Sequence, residues 1–155
     1  MATKPIKIFQ ASNSDLSIIQ ALFYKMFEIF YVDQNIDYPY TEDGIQYLKN
    51  CIEHQIALVA KDGDTIIAFL TGGIEDAMPF KTYKQHGHLH NLFVLEDYRR
   101  QGIGKQLVQQ FVQKCAENDV HRIVTDSDNT EALKHFYTSQ GFRISSVNYE
   151  WDIPS

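Results

Sequence analysis

Residues 86–105 read His86-Gly87-His88-Leu89-His90-Asn91-Leu92-Phe93-Val94-Leu95-Glu96-Asp97-Tyr98-Arg99-Arg100-Gln101-Gly102-Ile103-Gly104-Lys105. His86 to Val94 is predicted as a strand, and Tyr98 to Lys105 as a basic, glycine-bearing loop. Leu107, Val108, Phe111, Val112 and Cys115 then recur at helical spacing and mark one apolar face. A strand that hands two glycines onto a helix N-terminus is an anion-binding device. Gly102 and Gly104 let backbone approach a ligand without interference from Cβ. The first-turn amides of the predicted Gly104–Asn118 helix lack intrahelical acceptors, and the helix dipole favours phosphate there. Arg99, Arg100 and Lys105 concentrate positive charge on this loop. The plainer reading of two glycines is a tight turn flanked by solvated basic residues. Spacing excludes the two common nucleotide loops. G-x-G-x-x-G would need glycine where Leu107 stands, and G-x-x-x-x-G-K-[ST] fails on both sides of Gly104-Lys105.

Working outward, Ile6 and Ile8 mark a short first strand, and Ser12 or Ser14 can cap a helix. Its apolar positions are Leu16, Ile19, Leu22, Phe23, Met26, Phe27 and Phe30. Asp33 to Tyr40 reads as irregular. Thr41 caps a second helix with Ile45, Leu48 and Ile52 as its stripe, and Glu42 and Asp43 suit its positive end. Ile56–Ala60, an Asp62-Gly63 turn and Thr65–Gly72 form a hairpin. After the central unit, Val120–Thr125 reads as a strand and Asn129–Ser139 as a helix. Phe142–Trp151 reads as one or two closing strands. The order is βααβββαβαβ(β), an α/β chain.

The chain has 155 residues, which fits one domain spanning 1–155, with no linker, repeat or low-complexity tract. At 44% apolar and 13% aromatic it builds a real core without a disulfide or metal staple. Its net charge of −6 argues against general nucleic-acid binding. The charge is uneven: residues 10–80 hold eleven acids against three lysines, while residues 81–155 balance at nine and nine. Neither a signal-like N-terminus nor a run long enough to cross a membrane occurs, so a cytoplasmic protein without membrane contact is expected. Cys51 and Cys115 lie far apart and read as reduced, buried small hydrophobes.

The loop also fits [RQ]-x-x-G-x-[GA], as Arg99-x-x-Gly102-x-Gly104. Here the sequence resembles the Gcn5-related N-acetyltransferase (GNAT) superfamily. The resemblance runs through Leu92-Phe93-Val94, Tyr98 to Gly104, Leu107, Asn129, Ala132, Phe136-Tyr137 and Gly141-Phe142. It is strong over residues 86–142, and the element order extends it over the chain. It implies a mixed central sheet flanked by about four helices, and acetyl-CoA as co-substrate. Arg99, Arg100, Gln101, Gly102, Ile103, Gly104 and Lys105 would hold the pyrophosphate, and Leu92, Phe93 and Val94 would pair with the pantetheine arm. One strand amide would polarise the thioester carbonyl. Asn129 would contact the cofactor arm besides capping its helix. Tyr137 would lie at the cofactor and serve as acid toward the departing thiolate. Phe136 and Phe142 read as core.

The residues add two points of their own. Leu89 to Leu92 is spaced by three and Leu92 to Val94 by two, a slip that suggests a β-bulge; two-sided burial of a central strand is the alternative. The glutamate that relatives often carry on this strand is missing. His86, His88 and His90 stand there instead, on one face by alternation. His88 and His90 are therefore the candidate bases, directly or through water, with Glu75 in reserve. A metal site is the other reading of three histidines. The sequence shows nothing nearby to complete a chelate and amine acetylation needs no metal, so none is expected.

These readings lead to an N-acetyltransferase acting on a primary amine, of a cationic small molecule, by direct transfer in a ternary complex. The alternatives are a protein or peptide amine as acceptor, and a non-catalytic module that senses acyl-CoA. A plain interaction domain using the basic loop is a third. Tyr31, Tyr38, Tyr40 and Trp151 are candidate substrate aromatics. A homodimer is common among such relatives, though no sequence feature establishes one.

Overall fold

A computed structural model describes residues 5–30 and 41–154. The elements are β1 (Ile6–Gln10), α1 (Leu16–Phe30), α2 (Glu42–His54), β2 (Ile56–Asp62), β3 (Thr65–Asp76), β4 (Gln85–Val94), α3 (Ile103–Glu117), β5 (Ile123–Thr125) and α4 (Glu131–Thr138). The strands form one sheet in the order β1-β2-β3-β4-β5. The first four are antiparallel, and β5 joins β4 in parallel after α3 crosses over. This is the α/β mixed sheet with four helices that the sequence leads one to expect.

Alternation along the strands builds two cores. Leu58, Ala60, Leu70 and Leu89 face α3 and meet its Leu107, Val108, Phe111 and Cys115. Val59, Phe69 and Phe93 point the other way, against Ile19, Leu22, Phe23 and Met26 of α1 and Leu48 and Cys51 of α2. Phe23, Phe69 and Phe111 are almost wholly buried, and burying each such side chain is worth about 1.5–3 kcal/mol. Both cysteines are unpaired and buried.

Local chemistry sets the helix starts. Ser12 and Asp15 form a capping box ahead of α1, with the Ser12 amide donating to Asp15 Oδ2 at 2.9 Å. Thr41 Oγ1 accepts from the Gly44 amide at 3.2 Å and opens α2. Thr130 does the same for α4, accepting from Leu133. The cap of that helix is therefore Thr130 and not Asn129, which sits one residue outside. In α2 the fully buried stripe is Gly44, Leu48 and Cys51, with Ile45 and Ile52 only partly covered. The helix is rotated relative to the apolar pattern because Tyr47, a polar aromatic, also turns inward.

The closing strands expected over Phe142–Trp151 do not form. Residues 142–154 are irregular, and Ile144, Val147, Tyr149, Trp151 and Ile153 are exposed. Two features account for this. The step from Ile144 to Val147 breaks strand alternation, and β5, the edge on offer, is only three residues long. Among the described residues no helix is long and apolar enough to cross a membrane. Tyr31, Tyr38 and Tyr40 lie outside the described residues.

Candidate active site

The ladder between β3 and β4 breaks once, where the leucine spacing slips. Thr71 pairs with Asn91 and Gly72 with Leu89, so His90 is the extra residue of a β-bulge. Side chains on either side of the bulge belong to different alternation frames. Leu89 and Leu92 both face α3, whereas His90 and Asn91 both face the α1–α2 side. His86, His88, His90 and Asn91 thus share one face of the sheet.

Register then places Glu75 of β3 opposite His86. Its carboxylate reaches the neighbouring histidines: Oε2 is 2.9 Å from His88 Nδ1 and Oε1 is 2.6 Å from His90 Nε2. His86 Nε2 lies farther off, 3.6 Å from Oε2. Partial burial alone would raise the Glu75 pKa, but hydrogen bonds and charge from His88 and His90 outweigh it and hold the carboxyl below its ordinary range. An ionised carboxylate only accepts hydrogen bonds. His88 Nδ1 and His90 Nε2 therefore carry the protons, and in the neutral rings His88 Nε2 and His90 Nδ1 are bare.

The two bare nitrogens differ. His90 Nδ1 is 2.9 Å from the Tyr47 hydroxyl, which itself lies 3.1 Å from Thr71 Oγ1 and accepts from Asn91 Nδ2 at 3.1 Å. Asn91 Nδ2 also donates to Thr71 Oγ1 at 3.0 Å. Burial, then the neighbouring Cys51, push the Tyr47 phenol well above its usual value, so it remains an O–H donor. His90 is thus pinned at both ends. His88 Nε2 instead faces the exposed Asp126 carboxylate at 3.6 Å. Of the two histidines, His88 is the one whose second nitrogen is not held by a hydrogen bond to Tyr47.

Both rings border a cavity of about 320 Å³ that is also lined by Phe23, Phe27, Tyr47 and Asn91. Sequence reasoning held Glu75 only in reserve and missed Tyr47, Thr71, Asn91 and Asp126. The positions of Tyr47 and Leu48 beside Gly44 and Cys51, at i, i+3, i+4 and i+7, are the signal that could have exposed Tyr47.

The far end of β4 opens differently. Parallel pairing with β5 covers only Gly87, His88 and Leu89. The Leu95 amide donates to Ile67 on the β3 side, so alternation turns the backbone groups of Leu92 and Val94 outward, toward the gap beyond β5. Val94's carbonyl accepts from Arg99 Nε at 2.9 Å, and the Arg99 guanidinium lies over the Phe30 and Phe93 rings. Phe93 itself is buried between the sheet and α1.

The loop ends in Gly102, the N-cap of α3, at φ +80° with no side chain capping the helix. A Cβ there would meet nothing within 4 Å. Gly102 is glycine for its left-handed backbone, and the space beside it is open. Ile103 is buried, while Arg100, Gln101 and Lys105 are exposed around the first turn. A Cβ at Gly104 would touch Phe136 at 3.4 Å, which places α4 against the start of α3. Tyr137 follows, half-buried, with its ring 4.9 Å from Phe136 and 5.3 Å from Phe142. Asn129 is exposed in the segment before α4, and Trp151 is exposed in the tail.

Cys51 lies beside Tyr47, whereas Cys115 packs in the core on the α3 side. Burial raises both thiols, Cys115 to about 11, which leaves little thiolate for covalent chemistry.

Comparison with known proteins agrees with this layout. The chain is similar in fold to a predicted acetyltransferase with acetyl-CoA from Clostridium acetobutylicum, at TM-score 0.80 and 19% identity over 96% of each chain. It is similar to aminoglycoside N-acetyltransferase AAC(6')-Iy in complex with CoA, at TM-score 0.76 and 14% identity over 100% of each chain. A third similar structure is an aminoglycoside acetyltransferase from an uncultured soil metagenomic sample in complex with sisomicin. Its TM-score is 0.71 at 21% identity, covering 96% of this chain and 97% of that one. No curated protein matches the sequence. The family described as "Acetyltransferase (GNAT) family" matches residues 20–142, across β2 to β4, the basic loop and α3, and the chain belongs to that family.

Proposed function

We propose that the protein transfers the acetyl group of acetyl-CoA to a primary amine of a small cationic molecule, within a ternary complex. The observation that carries this reading is a single strand with two functional ends. At the bulge stands the Glu75–His88 pair, and beyond Val94 lies the uncapped, basic N-terminus of α3. His88 Nε2 removes a proton from the bound ammonium, with Glu75 orienting the ring and Asp126 lying 3.6 Å from that nitrogen. The amine nitrogen then bonds to the thioester carbon. An outward amide of Leu92 or Val94 stabilises the oxyanion, the C–S bond breaks, Tyr137 protonates the thiolate, and the second proton leaving the nitrogen restores the Tyr137 phenol. The loop from Arg99 to Lys105 holds the pyrophosphate, with Asn129 beside the cofactor arm. A sensor module would lack a competent base, and the Glu75–His88 pair supplies one where the strand glutamate of relatives is missing, which favours transfer.

Steady-state assay of thiol release with polyamines, aminoglycosides and lysine peptides tests the reading. Acetyl-CoA binding without thiol release from any amine would return the chain to the sensor class. Tyr137→Phe is expected to lower kcat by about 10²-fold while leaving the Kd for acetyl-CoA within twofold. Unchanged turnover would remove Tyr137 from the mechanism.

The charge imbalance supports a cationic acceptor. The acids concentrate in residues 10–80, which contain α1, α2 and Glu75. Acetylation of a polycationic amine is therefore expected to fall in kcat/KM as ionic strength rises, because screening weakens attraction between separated charges. A flat salt profile for such an acceptor, beside equal rates for neutral amines, would count against cation preference.

A further inference from the structure

From the convergence of Glu75, His88 and His90 we infer a binding site for a divalent transition-metal cation of the zinc type. One ligand atom from each residue lies within 4.8 Å of the other two. Tetrahedral zinc with bonds of roughly 2.1 Å holds its ligand atoms about 3.4 Å apart. The present carboxylate–histidine separations, 2.9 and 2.6 Å, need to open by less than about 1 Å for an ion to replace the two hydrogen bonds. Two imidazoles and one carboxylate select zinc-like ions over magnesium or calcium, which prefer oxygen. Glu75, His88 and His90 are 37%, 27% and 22% exposed, so an ion can enter and retain water or another ligand in its open position.

An independent observation separates this set from a chance cluster. Metal-bound histidines direct their second ring nitrogen at an acceptor, and both second nitrogens here already face one. His90 Nδ1 meets the Tyr47 hydroxyl at 2.9 Å, and His88 Nε2 faces Asp126 Oδ2 at 3.6 Å. On metal binding each ring keeps one proton, moved to that outer nitrogen. Tyr47 then accepts from His90 and turns its own proton toward Thr71 Oγ1. The outer layer of a metal centre is thus in place around the ligands. The same ion takes up His88 and Glu75, so bound metal and base work exclude each other, and a filled site silences the acetyl transfer proposed above.

Titration of chelator-treated protein with Co2+, followed by visible absorption and then displacement with Zn2+, tests the site. One equivalent per chain with a tetrahedral spectrum is expected. Glu75→Gln and His88→Asn should each weaken Co2+ binding at least tenfold, and Tyr47→Phe by about tenfold through the outer layer. His121→Ala, which alters an exposed histidine beside Asp119, should leave binding unchanged. In the unaltered protein, nitrogen-detected NMR of the imidazoles should show Zn2+ perturbing His88 Nδ1 and His90 Nε2. This measurement needs no variant to fold. Perturbation confined to His54 and His121, or equal Co2+ affinity in Glu75→Gln and His88→Asn, would overturn the inference. Thiol release should fall as Zn2+ fills the site and recover with chelator. The two readings fail separately: absent thiol release without metal sinks the transferase reading, whereas absent Co2+ binding by an active enzyme sinks the metal site.

Discussion

Replacing Gly102 with valine is expected to lower acetyl-CoA affinity more than a hundredfold while the protein stays folded. Gly102 holds φ +80°, a region that costs an L-residue about 1–2 kcal/mol, more for a β-branched one. That strain alone corresponds to a loss of roughly 5–30-fold if the loop relaxes to escape it. The rest comes from position. The valine side chain meets no protein atom within 4 Å of its Cβ, so it projects into the open space over the uncapped first turn of α3. That is the space a phosphate must enter to reach the amides. Gly141→Ala is the matched control, because Gly141 sits at φ +103° with equally open surroundings, outside the loop. Calorimetric titration should show the affinity loss for Gly102→Val alone, with both variants melting cooperatively. An unchanged Kd for Gly102→Val would take the loop out of the cofactor site.

His88→Ala is expected to lower kcat by about 10²–10⁴-fold, the span typical of a lost general base, with acetyl-CoA affinity unchanged. His90 cannot replace it, because its bare nitrogen is held by Tyr47 and its other nitrogen by Glu75. Glu75→Gln keeps the ring in reach but leaves one carbonyl acceptor where two carboxylate oxygens served His88 and His90, so its loss should be smaller. Pre-steady-state acetyl transfer to a fixed amine separates chemistry from product release. If His88→Ala turns over normally while Glu75→Gln does not, the carboxylate is the base and the histidines only frame it.

How much of this was legible in the sequence follows the reach of each interaction. Arg99 to Gly104 and the helical face from Leu107 to Cys115 are local patterns, and both could be read directly. So could the bulge, since a change of parity in the apolar spacing is visible within four residues. The partners of the histidines were not legible. Glu75 lies thirteen residues from His88, and only the register across β3 and β4 sets them side by side. Tyr47 is hidden for another reason. Ile45 and Ile52 outweigh it in hydropathy, yet α2 turns Gly44, Leu48 and Cys51 inward, because close packing and a satisfied hydroxyl decide the phase. The tail shows the opposite failure. Apolar residues spaced by two in Phe142–Ile144 and again in Val147–Trp151 propose strands, but a strand exists only with a partner, and partnership is not written locally.

The extra residue in β4 has a consequence for anyone shortening or grafting this strand. On either side of His90 the chain obeys opposite parity rules, so the strand is two half-strands spliced out of phase. Removing His90 would leave Gly72 opposite Leu89 and Thr71 opposite Asn91, a regular ladder with every remaining side chain on its present face. Removing Leu89 instead, with His90–Val94 held in place, would turn Gly87 toward α1 and α2 and drive His86 and His88 to the side of Phe111 and Cys115 of α3. The splice sets His90 and Asn91 side by side on the polar face of a ten-residue strand, and it is the point where a deletion leaves the other side chains on their present faces.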